Sequence, residues 1–220
     1  DSDWKASTGA VMESDLLQGE TYDATKEKED WNQPAFNDAA WDPVQVVADH
    51  PKSILQLYPS NPVRVVKELP IKTIKKLANG KYLVDFGQNF AGNIRLKIKG
   101  KAHDSLIFRY GEMLHPDGTL VTENLRTARA TDTYILKGAA REEVWSPSFT
   151  YHGFQYVEVS GLREMPANDF LTGLVLTSDL ENVGHFETDN SLLNQIYRNI
   201  VWTQWANYVD IPTDCPQRDE

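Results

Sequence analysis

Residues Gly92–Gly100 read GNIRLKIKG. Ile94, Leu96 and Ile98 alternate with Arg95, Lys97 and Lys99, a period of two that places apolar side chains on one face of a strand and basic ones on the other. The same texture extends in both directions. VRVVKELPIKTIKKL (63–77), KYLVDFG (81–87), SLIFRYGEM (105–113), DTYILKG (132–138) and TYHGFQYVEVSG (150–161) read as short strands. Turn signals such as ANGK, HPDG and KGAA separate them. Strands at this spacing with no helix between them predict antiparallel β-sandwich architecture.

The flanks differ. Residues 1–60 read as irregular and aromatic, with Trp31, Phe36 and Trp41 spaced five apart among Asn, Asp and Pro. Large rings in such a setting pin a loop onto a sheet more often than they bind sugar. Beyond the strands, LVLTSDLENVGHFETD (174–189) reads as one last strand and a linker. At Asp189 the period then switches. Leu192, Leu193, Ile196, Tyr197, Ile200 and Val201 fall at helical spacing, with Asp189 or Asn190 as N-cap. One amphipathic helix cannot bury its own stripe, so it packs on the sandwich or on helices this chain does not contain.

Composition bounds the function classes. Forty per cent hydrophobic residues with six Trp, nine Tyr and eight Phe describe a globular chain. No apolar run approaches bilayer length. The N-terminus DSDWKASTGA lacks a signal pattern and reads like the middle of a longer sequence, leaving cytoplasm, periplasm and secretion all open. A single cysteine excludes internal disulfides, and no Cys or His group stands at metal-ligand spacing, so neither metal nor cofactor is expected. The net charge of −10 is uneven, and residues 61–110 carry eleven basic against three acidic side chains. Because that block alternates with apolar residues, a solvated basic face explains it better than a nucleic-acid partner.

Chemistry concentrates after the helix, in VDIPTDCPQRDE (209–220). Pro212 and Pro216 preclude regular helix and predict a rigid, extended loop. Alternate residues of an extended chain share a side, which would gather Asp214, Arg218 and Glu220 and turn Asp219 away. A guanidinium favours the ionised form of one carboxyl, while burial or a second carboxylate favours the protonated form of the other. One anion and one acid result, and glycoside hydrolysis needs such an acid to protonate the departing sugar oxygen. On these residues alone a solvated loop with a surface ion pair is the simpler reading. Cys215 has no neighbouring histidine to activate it. His152 and His185 read as structural. DFGQNFAG (85–92) superficially matches the kinase metal-binding triplet but lacks the other kinase segments, and reads as a glycine-punctuated turn.

Five blocks in order carry a resemblance: GETYDA (19–24), DFGQNFAG (85–92), GEMLHPDGTLVTENLRTARATDTYILKG (111–138), FTYHGFQYVEV (149–159) and PTDCPQRDE (212–220). Together they closely resemble bacterial α-L-rhamnosidases, glycoside hydrolase family 78, over essentially the whole chain. The resemblance implies a fragment of a longer enzyme. Residues 1–60 would be the C-terminal part of an N-terminal β-sandwich and 61–165 a second β-sandwich. Residues 166–220 would be the linker and first helix of an (α/α)6 catalytic barrel. Matched residue by residue, it implies Glu220 as general acid and Asp214, Arg218 and Asp219 as sugar-binding groups. The catalytic base would lie in a later barrel loop outside this chain. Terminal α-L-rhamnose on glycosides or polysaccharides is the implied substrate, with configuration inverted, and the 220 residues alone are expected to be inactive. Thr25 stands where the family usually has arginine. Two rivals come from other classes. One is a non-catalytic carbohydrate-binding sandwich with the N-terminal aromatics as platform; the other is a scaffold bracing a barrel or a homodimer contact.

Overall fold

The computed structural model describes residues 2–47 and 56–218. It is mainly β. The strands are β1 (Lys5–Ala6), β2 (Val11–Asp15), β3 (Gly19–Asp23), β4 (Asp42–Pro43), β5 (Val63–Pro70), β6 (Thr73–Lys76) and β7 (Tyr82–Ile98). After them come β8 (Ser105–Gly111), β9 (Thr131–Ile135), β10 (Glu143–Trp145), β11 (His152–Ser160) and β12 (Leu171–Ser178). Helix α1 (Ser191–Ala206) and the short strands β13 (Tyr208–Val209) and β14 (Ile211–Pro212) complete the order. α1 is the one α-helix among the described residues.

Ten strands form one curled sheet in the order β2-β3-β9-β8-β11-β7-β12-β5, with β6 and β10 also paired to β7. The alternation in Gly92–Gly100 works as expected: Ile94 and Leu96 are wholly buried, while Arg95 and Lys97 are only half-buried. Arg95 Nη1 and Nη2 donate to both carboxylate oxygens of Glu68 on β5, at 2.8 and 2.5 Å. The sheet curls around an aromatic core in which Phe86, Phe90 and Phe154 meet with centroids 4.4–5.9 Å apart.

Three local readings change. KYLVDFG and GNIRLKIKG are not separate strands; both belong to the seventeen-residue β7. The glycine-punctuated segment between them is a bulge, not a turn, because Asp85 pairs with Tyr156 and Phe90 with Phe154. Phe86–Asn89 therefore oppose Gln155 alone. Residues 1–60 also contribute regular structure. The β2–β3 hairpin joins the sheet through β9, in a parallel pairing that departs from the antiparallel rule elsewhere. Its strands are too short and polar to announce themselves, since every residue of β2 is exposed.

A buried polar cluster fastens that hairpin. Asp132 on β9 accepts from Glu20 N at 2.8 Å and from Tyr110 Oη at 2.6 Å, and His152 Nε2 lies 3.2 Å from it. Glu20 Oε2 accepts from Ser148 N and Phe149 N, while its Oε1 is buried without a hydrogen-bond partner. Burial raises the Glu20 carboxyl above its ordinary 4.5, and the nearby Asp132 adds to the rise. A raised folded-state value means that Glu20 favours folding below pH 4.5 and loses that contribution as pH rises through its folded value. Glu20→Gln cannot ionise there. Urea unfolding at pH 4 and pH 8 should thus show wild type losing stability relative to Glu20→Gln as pH rises; identical changes in both proteins would contradict the assignment.

Candidate functional site

The helix and the loop after it are built locally. Asn190 Oδ1 caps α1, accepting from Leu192 N at 3.0 Å and Leu193 N at 3.4 Å. The helix packs on the sheet through Trp202 and Trp205, which touch the core, and Lys67 Nζ of β5 sits 5.2 Å over the Trp202 ring. The predicted apolar stripe points elsewhere: Leu192 is 66% exposed and Ile200 59%. Of the two options for that stripe, the sandwich does not cover it.

Beyond Asn207, β13 and β14 form a minimal hairpin, and Thr213 N donates to Asn207 O at 2.9 Å, tying the loop to the helix end. From Cys215 the backbone turns instead of extending. Arg218 N donates to Cys215 O at 3.1 Å, with Pro216 in the second position that suits its fixed φ. The alternation expected of an extended strand does not apply to residues 215–218. Cys215 links Asp214 and Arg218: its Sγ donates to Asp214 Oδ2 at 3.3 Å and accepts from Arg218 Nη2 at 3.3 Å. Arg218 Nη1 also donates to the main-chain oxygen of Asn124, at 3.3 Å. Asp214 is exposed and Arg218 half-buried. Asp219 and Glu220 lie outside the described residues.

The sandwich seats this loop. A Cβ added to Gly153 on β11 would stand 2.7 Å from Gln217 N, 2.9 Å from Pro216 C and 3.1 Å from Gln217 Cα. These are main-chain atoms, which cannot swing aside as a flexible side chain can. Beside the seat lies the β7 bulge. Gly87 adopts φ 73° there, a left-handed conformation that glycine enters without a Cβ penalty. Asp85 Oδ1 holds the bulge by accepting from Gly87 N at 2.6 Å and Gln155 Nε2 at 3.0 Å. Gln88 and Asn89 consequently face a cleft of about 420 Å³ that they share with Glu112, the end of α1 and residues Asp214–Gln217.

Sequence reasoning singled out Asp214 and Arg218 but missed Gly153, Asn124, Gln88, Asn89 and Glu112 as their surroundings. The signal was present, because all five sit within blocks that carry the resemblance. His152 is 2% exposed and held by Asp132 inside the core. No group of three or more His, Cys, Asp or Glu able to hold a metal ion occurs among the described residues.

Three consecutive family profiles match the chain. The α-L-rhamnosidase N-terminal domain matches residues 1–67, the bacterial α-L-rhamnosidase concanavalin-like domain 75–177, and the bacterial α-L-rhamnosidase six-hairpin glycosidase domain 181–220. An α-L-rhamnosidase of Streptomyces avermitilis is 43% identical over 218 residues, 99% of this chain and 21% of that protein. One from Formosa agariphila is 40% identical, over all of this chain and 24% of its own length. The structure of the S. avermitilis enzyme complexed with L-rhamnose superposes on the whole chain with a TM-score of 0.94. That of the α-L-rhamnosidase from Dictyoglumus thermophilum, 39% identical, also gives 0.94, over the whole chain and 25% of that structure. The chain spans about a fifth to a quarter of the length of these relatives. Matched from end to end by the family's domains in their own order, it belongs to the bacterial α-L-rhamnosidases, glycoside hydrolase family 78.

Proposed function

We propose that the polypeptide containing this chain hydrolyses terminal α-L-rhamnosides with inversion of configuration. Residues 1–60 end a first β-sandwich domain that lends its β2–β3 hairpin to the sheet of a second, 61–165, which also takes in β12. Residues 166–220 open an (α/α)6 barrel whose later helices cover the exposed stripe of α1. The observation that carries this reading is the unbroken similarity through residue 220 to α-L-rhamnosidases, including one complexed with L-rhamnose.

In this reading Glu220 is protonated and gives its proton to the glycosidic oxygen as the bond to the sugar breaks. A carboxylate from a later barrel loop activates water on the opposite face, at the separation of about 6.5–9.5 Å that inversion requires. Asp214 accepts hydrogen bonds from rhamnose hydroxyls. Arg218 fixes the ring position. Asp219 adds a sugar contact or a repulsive charge that keeps the acid protonated. The turn at Cys215–Arg218 supports this division of work, because it holds Asp214 and Arg218 on one short, tethered segment.

The reading is tested by following hydrolysis of an α-L-rhamnoside by the full enzyme with ¹H NMR. β-L-rhamnose should be the first anomer released, with the α form growing in by mutarotation. Initial release of α-L-rhamnose would refute inversion, and absence of rhamnose release from any terminal α-L-rhamnoside would refute the activity. The 220-residue chain alone should release none.

A further inference from the structure

We propose that the β2–β3 hairpin is the positioning element of the Asp214–Arg218 loop, with Glu20 and Gln18 as its positioning residues. This rests on the reading of Asp214 and Arg218 as sugar-binding groups, and adds to it a part of the molecule from the opposite end of the chain. The loop meets the sandwich at Gly153, against which Pro216 and Gln217 lie, and at the main-chain oxygen of Asn124, which accepts from Arg218 Nη1. The hairpin holds the segments that carry both anchors.

Gly153 has no side chain, so the main chain on either side of it fixes where it stands. The pairing of β11 begins at His152, and Ser148–Tyr151 before it lie outside the ladder. Their polar groups go to the hairpin instead. Glu20 Oε2 accepts from Ser148 N at 3.0 Å and from Phe149 N at 3.1 Å. Ser14 Oγ donates to Phe149 O and Thr150 Oγ1 donates to Asp15 O, each at 3.2 Å. Asp132 closes the brace, since it accepts from Glu20 N and holds His152, the residue before Gly153.

Asn124 sits in a short 3-10 turn, Glu123–Leu125, after which the chain passes through Arg126 and Ala130 with φ 54° and 43°. Neither residue is glycine, and such a left-handed path persists only where its surroundings hold it. The tip of the hairpin does so. Leu17 O accepts from Ala130 N and Gln18 O from Thr131 N, both at 3.1 Å. Gln18 Nε2 donates to Thr127 O at 3.2 Å, and Gln18 Oε1 accepts from Arg129 Nε at 2.9 Å. One hairpin therefore sets both anchors, and a shift in it displaces Asp214 and Arg218 together.

The experiment uses the full enzyme and measures the dissociation constant of L-rhamnose by calorimetry and kcat/KM on an aryl α-L-rhamnoside, both per folded enzyme. Glu20→Leu, of similar size but with no acceptor, should weaken rhamnose binding and lower kcat/KM about tenfold. Glu20→Gln keeps an oxygen for Ser148 N and Phe149 N and should stay within about twofold of wild type. Gln18→Ala changes a half-buried side chain, so it should fold, and should lose about threefold. Leu136→Ala truncates the core beside Gly100 and Phe170, away from the loop, and should lower stability with rhamnose affinity unchanged. Wild-type affinity in Gln18→Ala and in folded Glu20→Leu would overturn the proposal while wild type still bound rhamnose. Equal loss in Leu136→Ala, or no recovery in Glu20→Gln, would do the same. If Glu20→Leu does not fold, wild-type affinity in Gln18→Ala alone overturns it. A wild-type enzyme that neither binds L-rhamnose nor cleaves the rhamnoside would overturn the hydrolase reading and this role with it.

Discussion

Glu220→Gln in the full enzyme should lower kcat on rhamnosides with poor leaving groups by about 10³-fold, within the range that a positioned proton donor contributes. An aryl rhamnoside with an acidic phenol should lose less than about tenfold, because its departing oxygen leaves as a stable anion without a proton. Plotting log kcat against leaving-group pKa separates the cases. The variant's slope should be steep where wild type is shallow. Equal losses on both substrates would remove Glu220 from the role of acid, and so would a preserved wild-type slope. The prediction concentrates on one carboxyl because the neighbours have other work: Asp214 is tied through Cys215 to Arg218 and Arg218 to the Asn124 main chain.

Gly153→Ala should lower kcat by about 100-fold, the loss that a displacement near 1 Å brings to a pre-positioned catalytic group. Its added Cβ would press on Gln217 N, Pro216 C and Gln217 Cα, all within 3.1 Å. The whole turn must lift, taking Asp214 and Arg218 with it. A lifted proton donor penalises poor leaving groups more than activated ones, whereas partial unfolding would depress both alike. Comparing the two substrates, alongside thermal unfolding to count folded enzyme, distinguishes these results. Wild-type kcat on both in a folded Gly153→Ala would show that the loop accommodates the methyl group and that the seat does not position it.

Legibility in the sequence varied with the range of the interaction. Alternation and turn signals located strand in the regions of β5 to β9, β11 and β12, without separating β5 from β6 or joining the halves of β7, and a cap at Asp189 or Asn190 with its following periodicity located α1, because these signals come from neighbours in the chain. What failed was equally physical. The β2–β3 hairpin has every β2 residue exposed, so no apolar alternation marked it. β10 is three residues long, too short for a pattern. The DFGQN segment looked like a turn because glycine and amides signal turns, and only pairing with β11 makes it a bulge. At the candidate site, Asp214 and Arg218 were legible from charge crowded beside two prolines. Gly153 lies in a stretch whose pattern marks only a strand, and nothing local marks it as the seat, since its partner loop lies some sixty residues away.

The amino-acid sequence by itself determined the β character, the position of the helix with its cap narrowed to Asp189 or Asn190, the crowding of charge after it, and the family. Each depends on residue type and local spacing, which a linear chain carries in full. Tertiary structure alone decided that GETYDA, ATDTY and TYHGF meet in one buried polar cluster, that the loop turns at Cys215–Arg218 and rests on Gly153, and that the β7 bulge faces that loop across a cleft. These are long-range coincidences. They follow from sheet register and from where the curled sheet brings distant main-chain atoms together, and no local propensity encodes that distance.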